Sequence, residues 1–232
     1  MSTPTVQPRY VQVSEMLIRD IQAGRLLPGE RMQPERSMAE SLGISVGTLR
    51  KALDLMVEDG LVERVHGSGN YVRAVPERAG PYVFFRLELV EGGGRPSAEV
   101  LAVDTLDKPA NLPGFGTSAR AHRIRRLRRL NGVPAALEEI WLDAGYAPEL
   151  AMEDLSESLY QFYKTRLGLW IQRAEDRVGV APVPDWGRGF PLAAGRPAGH
   201  VERISWDQNG ARAEVSHTWF DAETTRYVTR LR

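Results

Sequence analysis

Between residues 122 and 130 the chain reads His-Arg-Ile-Arg-Arg-Leu-Arg-Arg-Leu. In an extended segment alternate side chains share a face, which sets Arg126 and Arg128 beside Ile124 and Leu130. Two guanidiniums on an inward, apolar face demand negative charge nearby, because like charges are costly in a low-dielectric interior. A small anionic ligand, carboxylate or phosphate, would supply it. So would the chain itself, through Glu138 or Glu139 on the segment returning from Asn131-Gly132. Register separates the two. A strict two-residue turn sets Glu138 opposite Arg125, whereas a bulged turn sets it opposite Ile124, on the arginine face. The sequence leaves both open.

A second constellation lies near the N-terminus. Leu49, Ala52, Leu53 and Met56 recur at helical spacing, with Ser45 placed to cap the helix. Ser45, Val46, Gly47, Thr48, Arg50 and Lys51 then point outward at its start. Ser45 and Thr48 can hydrogen-bond phosphate, Arg50 can reach phosphate or a guanine edge, and the open N–H groups favour an anion. Arg36, His66 and Gly67 are candidates to clamp the flanking nucleic-acid backbone. An ordinary solvated helix face has a similar composition, so this helix alone decides nothing.

The elements that would carry these residues follow from periodicity. A first helix is expected over about Tyr10–Ala23, ended by Gly24 and Pro28-Gly29. A second runs from about Pro34 to Leu42, and the third starts after Ser45. Leu61–Val65, His66–Gly69 and Asn70–Val72 read as strand, glycine-rich turn and strand. Three helices and a hairpin form the winged-helix layout, in which the third helix enters the major groove. Residues 74–81, AVPERAGP, read as a linker between a head at 1–73 and a second domain at 82–232.

That second domain shows strand patterns at 82–89, 98–103, 122–130, 135–142, 170–180, 200–206 and 213–220, with one helix expected at Ser156–Leu167. Asn131-Gly132 and Asn209-Gly210 mark hairpin turns. The fold class is therefore α+β in two domains, the second mixed with a mainly antiparallel sheet. Trp170, Trp186, Trp206 and Trp219 are expected in the core, and His122, His200 and His217 are read as scattered, with no metal or catalytic role.

Composition sets limits. The chain has no cysteine, which removes disulfides and thiolate metal sites. The start, MSTPTVQPRY, lacks the apolar core of a signal peptide, and no apolar run approaches the ~18 residues of a membrane span. A cytoplasmic protein is expected. Lys+Arg and Asp+Glu both number 30, and residues 1–75 carry nine of each sign. Nucleic-acid binding must therefore depend on where charges point, not on bulk charge.

The ordered series Pro-Glu-Arg, Leu-Gly-Ile-Ser, Thr-Leu-Arg-Lys-Ala-Leu, Asp-Gly-Leu-Val and His-Gly-Ser-Gly-Asn-Tyr-Val makes residues 8–73 resemble the DNA-binding domain of the GntR family of bacterial repressors. The resemblance implies DNA contacts at Arg36, Ser45, Thr48, Arg50, His66 and Gly67. Pro34 replaces a frequent serine, and Val46 and Gly47 replace a frequent arginine and threonine. Loss of that arginine removes roughly 1–3 kcal/mol of base discrimination, so the operator should depart from the family consensus there. Residues 82–232 resemble the UTRA effector domain of the HutC subgroup, a chorismate lyase-like fold, through Arg-Arg-Leu-Arg-Arg-Leu-Asn-Gly-Val-Pro-Ala-Ala-Leu-Glu, Glu-Ser-Leu-Tyr and Ala-Glu-Val-Ser. Arg126, Arg128, Glu138, Ser158 and Glu214 then line a pocket, with Phe220 where a tyrosine is common. Phe220 and Val83-Phe84-Phe85 point to a small or fairly apolar carboxylate.

The resulting expectation is a homodimeric, ligand-responsive repressor on palindromic double-stranded operator DNA. A small anionic metabolite, an organic acid or phosphate, would release it, without cofactor, membrane or enzymatic activity. An enzyme fused to a DNA-binding head, or a second domain that only dimerises, are the rivals.

Overall fold

The computed structural model describes residues 8–22, 25–73, 86–155 and 159–229. The chain divides into two compact units, one holding residues 7–86 and the other Leu87–Tyr227. The expected linker and Val83-Phe84-Phe85 lie outside the described residues, as do Ser156 and Ser158.

The smaller unit contains α1 (Arg9–Gln22), α2 (Glu35–Ser41), α3 (Val46–Glu58), β1 (Val62–Val65) and β2 (Gly69–Val72). Local chemistry explains their limits. Ser45 stays extended and its hydroxyl accepts the Thr48 N–H at 3.0 Å, satisfying one of the open donors that begin α3. Past α3, Gly60 takes φ +71° and the Leu61 N–H returns to the Met56 carbonyl at 2.8 Å, which closes the helix. Val13, Leu17, Ile18 and Ile21 of α1 pack with Met38, Leu49, Leu53, Met56 and Val72 in one core. β1 and β2 pair antiparallel from Val62↔Val72 to Val65↔Gly69. A bridge from Arg31 to Tyr71 adds a short third edge to that wing.

The larger unit is built on six antiparallel strands in the order β4-β5-β6-β9-β8-β7: β4 (Pro96–Asp107), β5 (Arg120–Leu130), β6 (Val133–Asp143), β7 (Ile171–Pro182), β8 (Pro197–Asp207) and β9 (Arg212–Phe220). Two short strands, β3 (Leu87–Leu89) and β10 (Thr225–Tyr227), pair apart from it. Asn131 and Gly132 both adopt positive φ, +51° and +81°, the geometry of the tight β5–β6 turn. The expected helix resolves into α4 (Leu159–Phe162) followed by a π-helical turn at Tyr163–Leu167, closed by Gly168 at φ +62°. β10 carries no signal in the sequence pattern.

The tryptophans follow expectation in part. Trp186 and Trp219 are half-buried and pack against the core cluster of Leu127, Leu137, Val183, Phe190 and Ala198. Trp170 and Trp206 are half-buried and stack with Lys164 and Arg173, and Trp141 is the deeply buried one.

Candidate nucleic-acid interface and effector site

At the start of α3, Ser45 and Thr48 share a hydroxyl contact of 2.8 Å, and Ser45 and Arg50 are exposed. Arg50 does not project alone. Its Nε donates to Glu35 at 2.6 Å, which lowers the Glu35 pKa, a shift that Asn70 and Arg64 assist against the opposing cost of burial. Asn70 donates from β2 to the same carboxylate at 3.4 Å, and Arg64 of β1 reaches Asp54 of α3 at 2.9 Å. Polar contacts thus tie α2, α3 and the wing into one frame. Arg36 is exposed at the start of α2, beside Glu40 at 3.6 Å. His66 and Gly67, the latter at φ +71°, occupy the exposed wing tip. Asp54, further along α3, braces the wing through that contact.

The buried charges gather on one face of the large sheet. Its register generates cross-strand rows: Arg128–Ala136–Phe220–Gly199–Val180, Arg126–Glu138–Thr218–Val201–Val178, Ile124–Ile140–Ser216–Arg203–Asp176, and His122–Leu142–Glu214–Ser205–Ala174. Neither register weighed from sequence is the one adopted. The two-residue turn forms, but a bulge follows at Arg128/Arg129, so Glu138 sits opposite Arg126. Its carboxylate lies 2.6 Å from Arg126 and 3.9 Å from Arg128, with side-chain exposures of 12%, 6% and 10% respectively. Burial pushes the Glu138 pKa up; Arg126, Arg128 and Arg203 more than reverse this and hold it below the usual carboxylate range.

Arg203 and Asp176 form a two-pronged pair, both contacts at 2.6 Å, and Tyr227 donates to the same Asp176. Glu214 is fully enclosed. Tyr163 donates to it at 2.8 Å, Ser205 at 3.2 Å and Tyr160 at 3.4 Å. Burial dominates there and raises the Glu214 pKa despite these donors and the neighbouring arginines. The same burial, with Glu214 beside them, raises both tyrosines. Phe220 shares the face, its ring over Gly199, where a Cβ would collide with it.

The structure therefore brings Arg126, Arg128, Glu138, Glu214 and Phe220 to one sheet face, and adds Arg203, Asp176, Tyr160, Tyr163 and Ser205. These additions left no trace in the sequence pattern, because they converge from strands and a helical segment about 30 to 75 residues beyond the arginine run. The histidines also differ from expectation. His200 and His217 are not scattered: their Nε2 and Nδ1 atoms lie 3.2 Å apart on the opposite face, against Trp219. Among the described residues no group of three or more histidine and carboxylate side chains could hold a metal ion, and no helix is long and apolar enough to cross a membrane.

A winged trihelical head and a separate antiparallel sheet domain with a buried ionic face define a two-domain transcriptional regulator. Residues 9–72 match the family model of bacterial regulatory proteins of the gntR family, and residues 91–226 match the UTRA domain. The chain is 58% identical to the HTH-type transcriptional regulator SmoD of Agrobacterium fabrum, over 97% of each chain. It is 26% identical to the mannosyl-D-glycerate transport/metabolism system repressor MngR of Escherichia coli, over 96% of this chain and 95% of that one. The crystal structure of PhnF from Mycobacterium smegmatis shares the fold, with a TM-score of 0.52 at 22% identity, covering 96% and 99% of the two chains. The chain belongs to the GntR family, and its gntR head with a UTRA effector-binding domain places it in the HutC subgroup.

Proposed function

We propose that this regulator is a homodimeric repressor that holds a palindromic operator and leaves it when a small anion enters the UTRA domain. The head spans residues 1–73, the linker 74–81 and the sensor domain 82–232. In the head, Ser45, Thr48 and Arg50 meet phosphate or base edges while Arg36, His66 and Gly67 grip the flanking strand. Two heads address half-sites about one helical turn apart.

One observation carries the effector reading: the buried cluster of Arg126, Arg128 and Arg203 with Glu138, Asp176 and Glu214. Three guanidiniums and three carboxyl groups share this enclosed face, and burial raises the Glu214 pKa. Planar guanidinium forks suit a carboxylate or phosphate, so an organic acid or phosphate fits the chemistry of the site. Tyr160, Tyr163 and Ser205 supply hydroxyls beside the charges, which favours an anion that also bears hydroxyl groups over the apolar carboxylate suggested by Phe220 alone. MngR, whose name ties it to mannosyl-D-glycerate, a hydroxylated acid, is a relative in keeping with this chemistry. Ser158, outside the described residues, remains a proposed member of the pocket. The role is binding, without turnover.

Operator binding followed by fluorescence anisotropy, against a panel of hydroxy acids, sugar phosphates and their neutral parents, tests this. Anions should release the DNA and neutral parents should not. Arg126→Lys, which keeps a charge against Glu138 but loses the planar fork, should bind operator normally and respond weakly. Release by the neutral compounds alone would overturn the reading.

A further inference from the structure

Asn70 on β2 is a polar side chain only 5% exposed, and it bonds in two directions. Its amide nitrogen donates to Glu35 of α2 at 3.4 Å, and its amide oxygen accepts from Nε of Arg64 on β1, also at 3.4 Å. This orientation of the amide suits both neighbours, because a carboxylate can only accept and a guanidinium can only donate. Arg64 continues to Asp54 at 2.9 Å, and Glu35 to Nε of Arg50 at 2.6 Å. Arg50 and Asp54 stand one turn apart on α3, so the contacts close into a ring through α2, α3 and both strands of the wing. The ring holds two cations and two anions.

We infer that Glu35 and Asn70 are positioning residues for operator selection: the ring holds Arg50 and the wing tip, His66-Gly67, at one fixed spacing, so that a duplex meets both in a single register. The inference rests on the proposed reading of α3 and the wing tip as operator contacts, and it adds residues that act through them. Glu35 has a second effect. It engages Nε while the Arg50 side chain stays 64% exposed, and its charge offsets that of the guanidinium. Attraction to phosphate irrespective of sequence is what supplies non-specific binding. An anion set beside Arg50 therefore weakens the hold on unregistered DNA more than on a duplex that meets α3 and the wing together, which widens the gap between the two. A head with as many acidic as basic side chains achieves selectivity in this way, by the placement of its charges.

An isosteric exchange of the two side chains tests this. Glu35→Gln sets one amide nitrogen against another, and turning the Asn70 amide over would only move the mismatch to Arg64. Asn70→Asp sets two carboxylates together. Combined, the two substitutions restore a donor and an acceptor at every contact and leave the charge of the ring as in the wild type. The probe is a duplex that the full-length wild type selects from a randomised pool, compared with a scrambled duplex by anisotropy at one salt concentration. Each single variant should lower the ratio of the two affinities by about tenfold, on the scale of coupling within one polar network, and the exchange should return it to within about threefold of wild type. His66→Ala should weaken binding in the wild type and in the exchange but much less in Asn70→Asp, whose wing is already out of register; a loss of stability alone would not produce that pattern. Circular dichroism should show each variant folded at the assay temperature, and if Asn70→Asp is not, Glu35→Gln against the exchange decides. An exchange no more selective than Glu35→Gln, or single variants as selective as wild type, overturns the positioning role while losses at Arg50→Ala and His66→Ala leave the contact surface standing. If Arg50→Ala and His66→Ala both bind the selected duplex as the wild type does, the contact surface itself is overturned.

Discussion

Truncating Glu138 to alanine would strip the shared carboxylate from two guanidiniums that are almost wholly enclosed. Arg126 would lose a contact of 2.6 Å and Arg128 one of 3.9 Å, inside a site where every partner is at least 88% covered. Removing one member of a buried pair costs about 3–5 kcal/mol, far more than a surface ion pair, because the remaining charge stays desolvated. For a unit of this size that corresponds to a drop in Tm on the order of 10 °C. All five tryptophans lie beyond residue 140, so their fluorescence during urea unfolding reports the sensor unit and not the head. Two variants sharpen the test. Arg126→Met with Glu138→Leu should recover the share of the loss that belongs to the closer 2.6 Å pair, since an apolar pair avoids that desolvation, while Arg128 still lacks its carboxylate neighbour. Acetate should stabilise Glu138→Ala more than wild type by occupying the vacated carboxylate position. If Glu138→Ala lies within about 1 kcal/mol of wild type, well below the cost of a stranded buried charge, the arginines are not held as described.

Arg50→Ala should weaken operator binding and reduce the slope of log K against log salt by about 0.9, the contribution of one neutralised phosphate; an unchanged slope in a filter-binding titration would exclude that contact. Ser45→Ala should destabilise the head by about 1 kcal/mol through loss of the α3 cap, read by thermal circular dichroism. Glu214, whose folded pKa is raised, contributes stability that is fully present below about pH 4.5 and fades as pH rises through the folded value. Glu214→Gln should therefore gain on wild type between pH 4.5 and 7 in urea midpoints, and a constant difference would contradict the raised pKa. Burial lowers the pKa of both His200 and His217, with His217 adding to the effect at His200. Below about pH 6.5 the unfolded chain takes up protons that the native pair refuses. Stability should fall from pH 7.5 to 5.5, and His217→Gln should flatten that slope; a variant as steep as wild type would refute the assignment.

The head was legible in the sequence because its signals are local. Ser45 caps α3 from three residues away, Gly60 supplies a left-handed turn, and the stripe of Leu49, Leu53 and Met56 needs only helical spacing to find the core. The Asn131-Gly132 turn and the arginine-bearing face were equally readable. Tertiary structure alone decided what the arginines meet. One bulged residue beside Arg128 moved Glu138 from the two sequence-derived positions to a place opposite Arg126. Strand order then carried Arg203 and Asp176 to the same face and set His200 beside His217 on the other. Caps and turns depend on neighbours within a few residues, so their chemistry is written in the local sequence. Register and strand order arise from packing among segments far apart in the chain, and no local pattern encodes them.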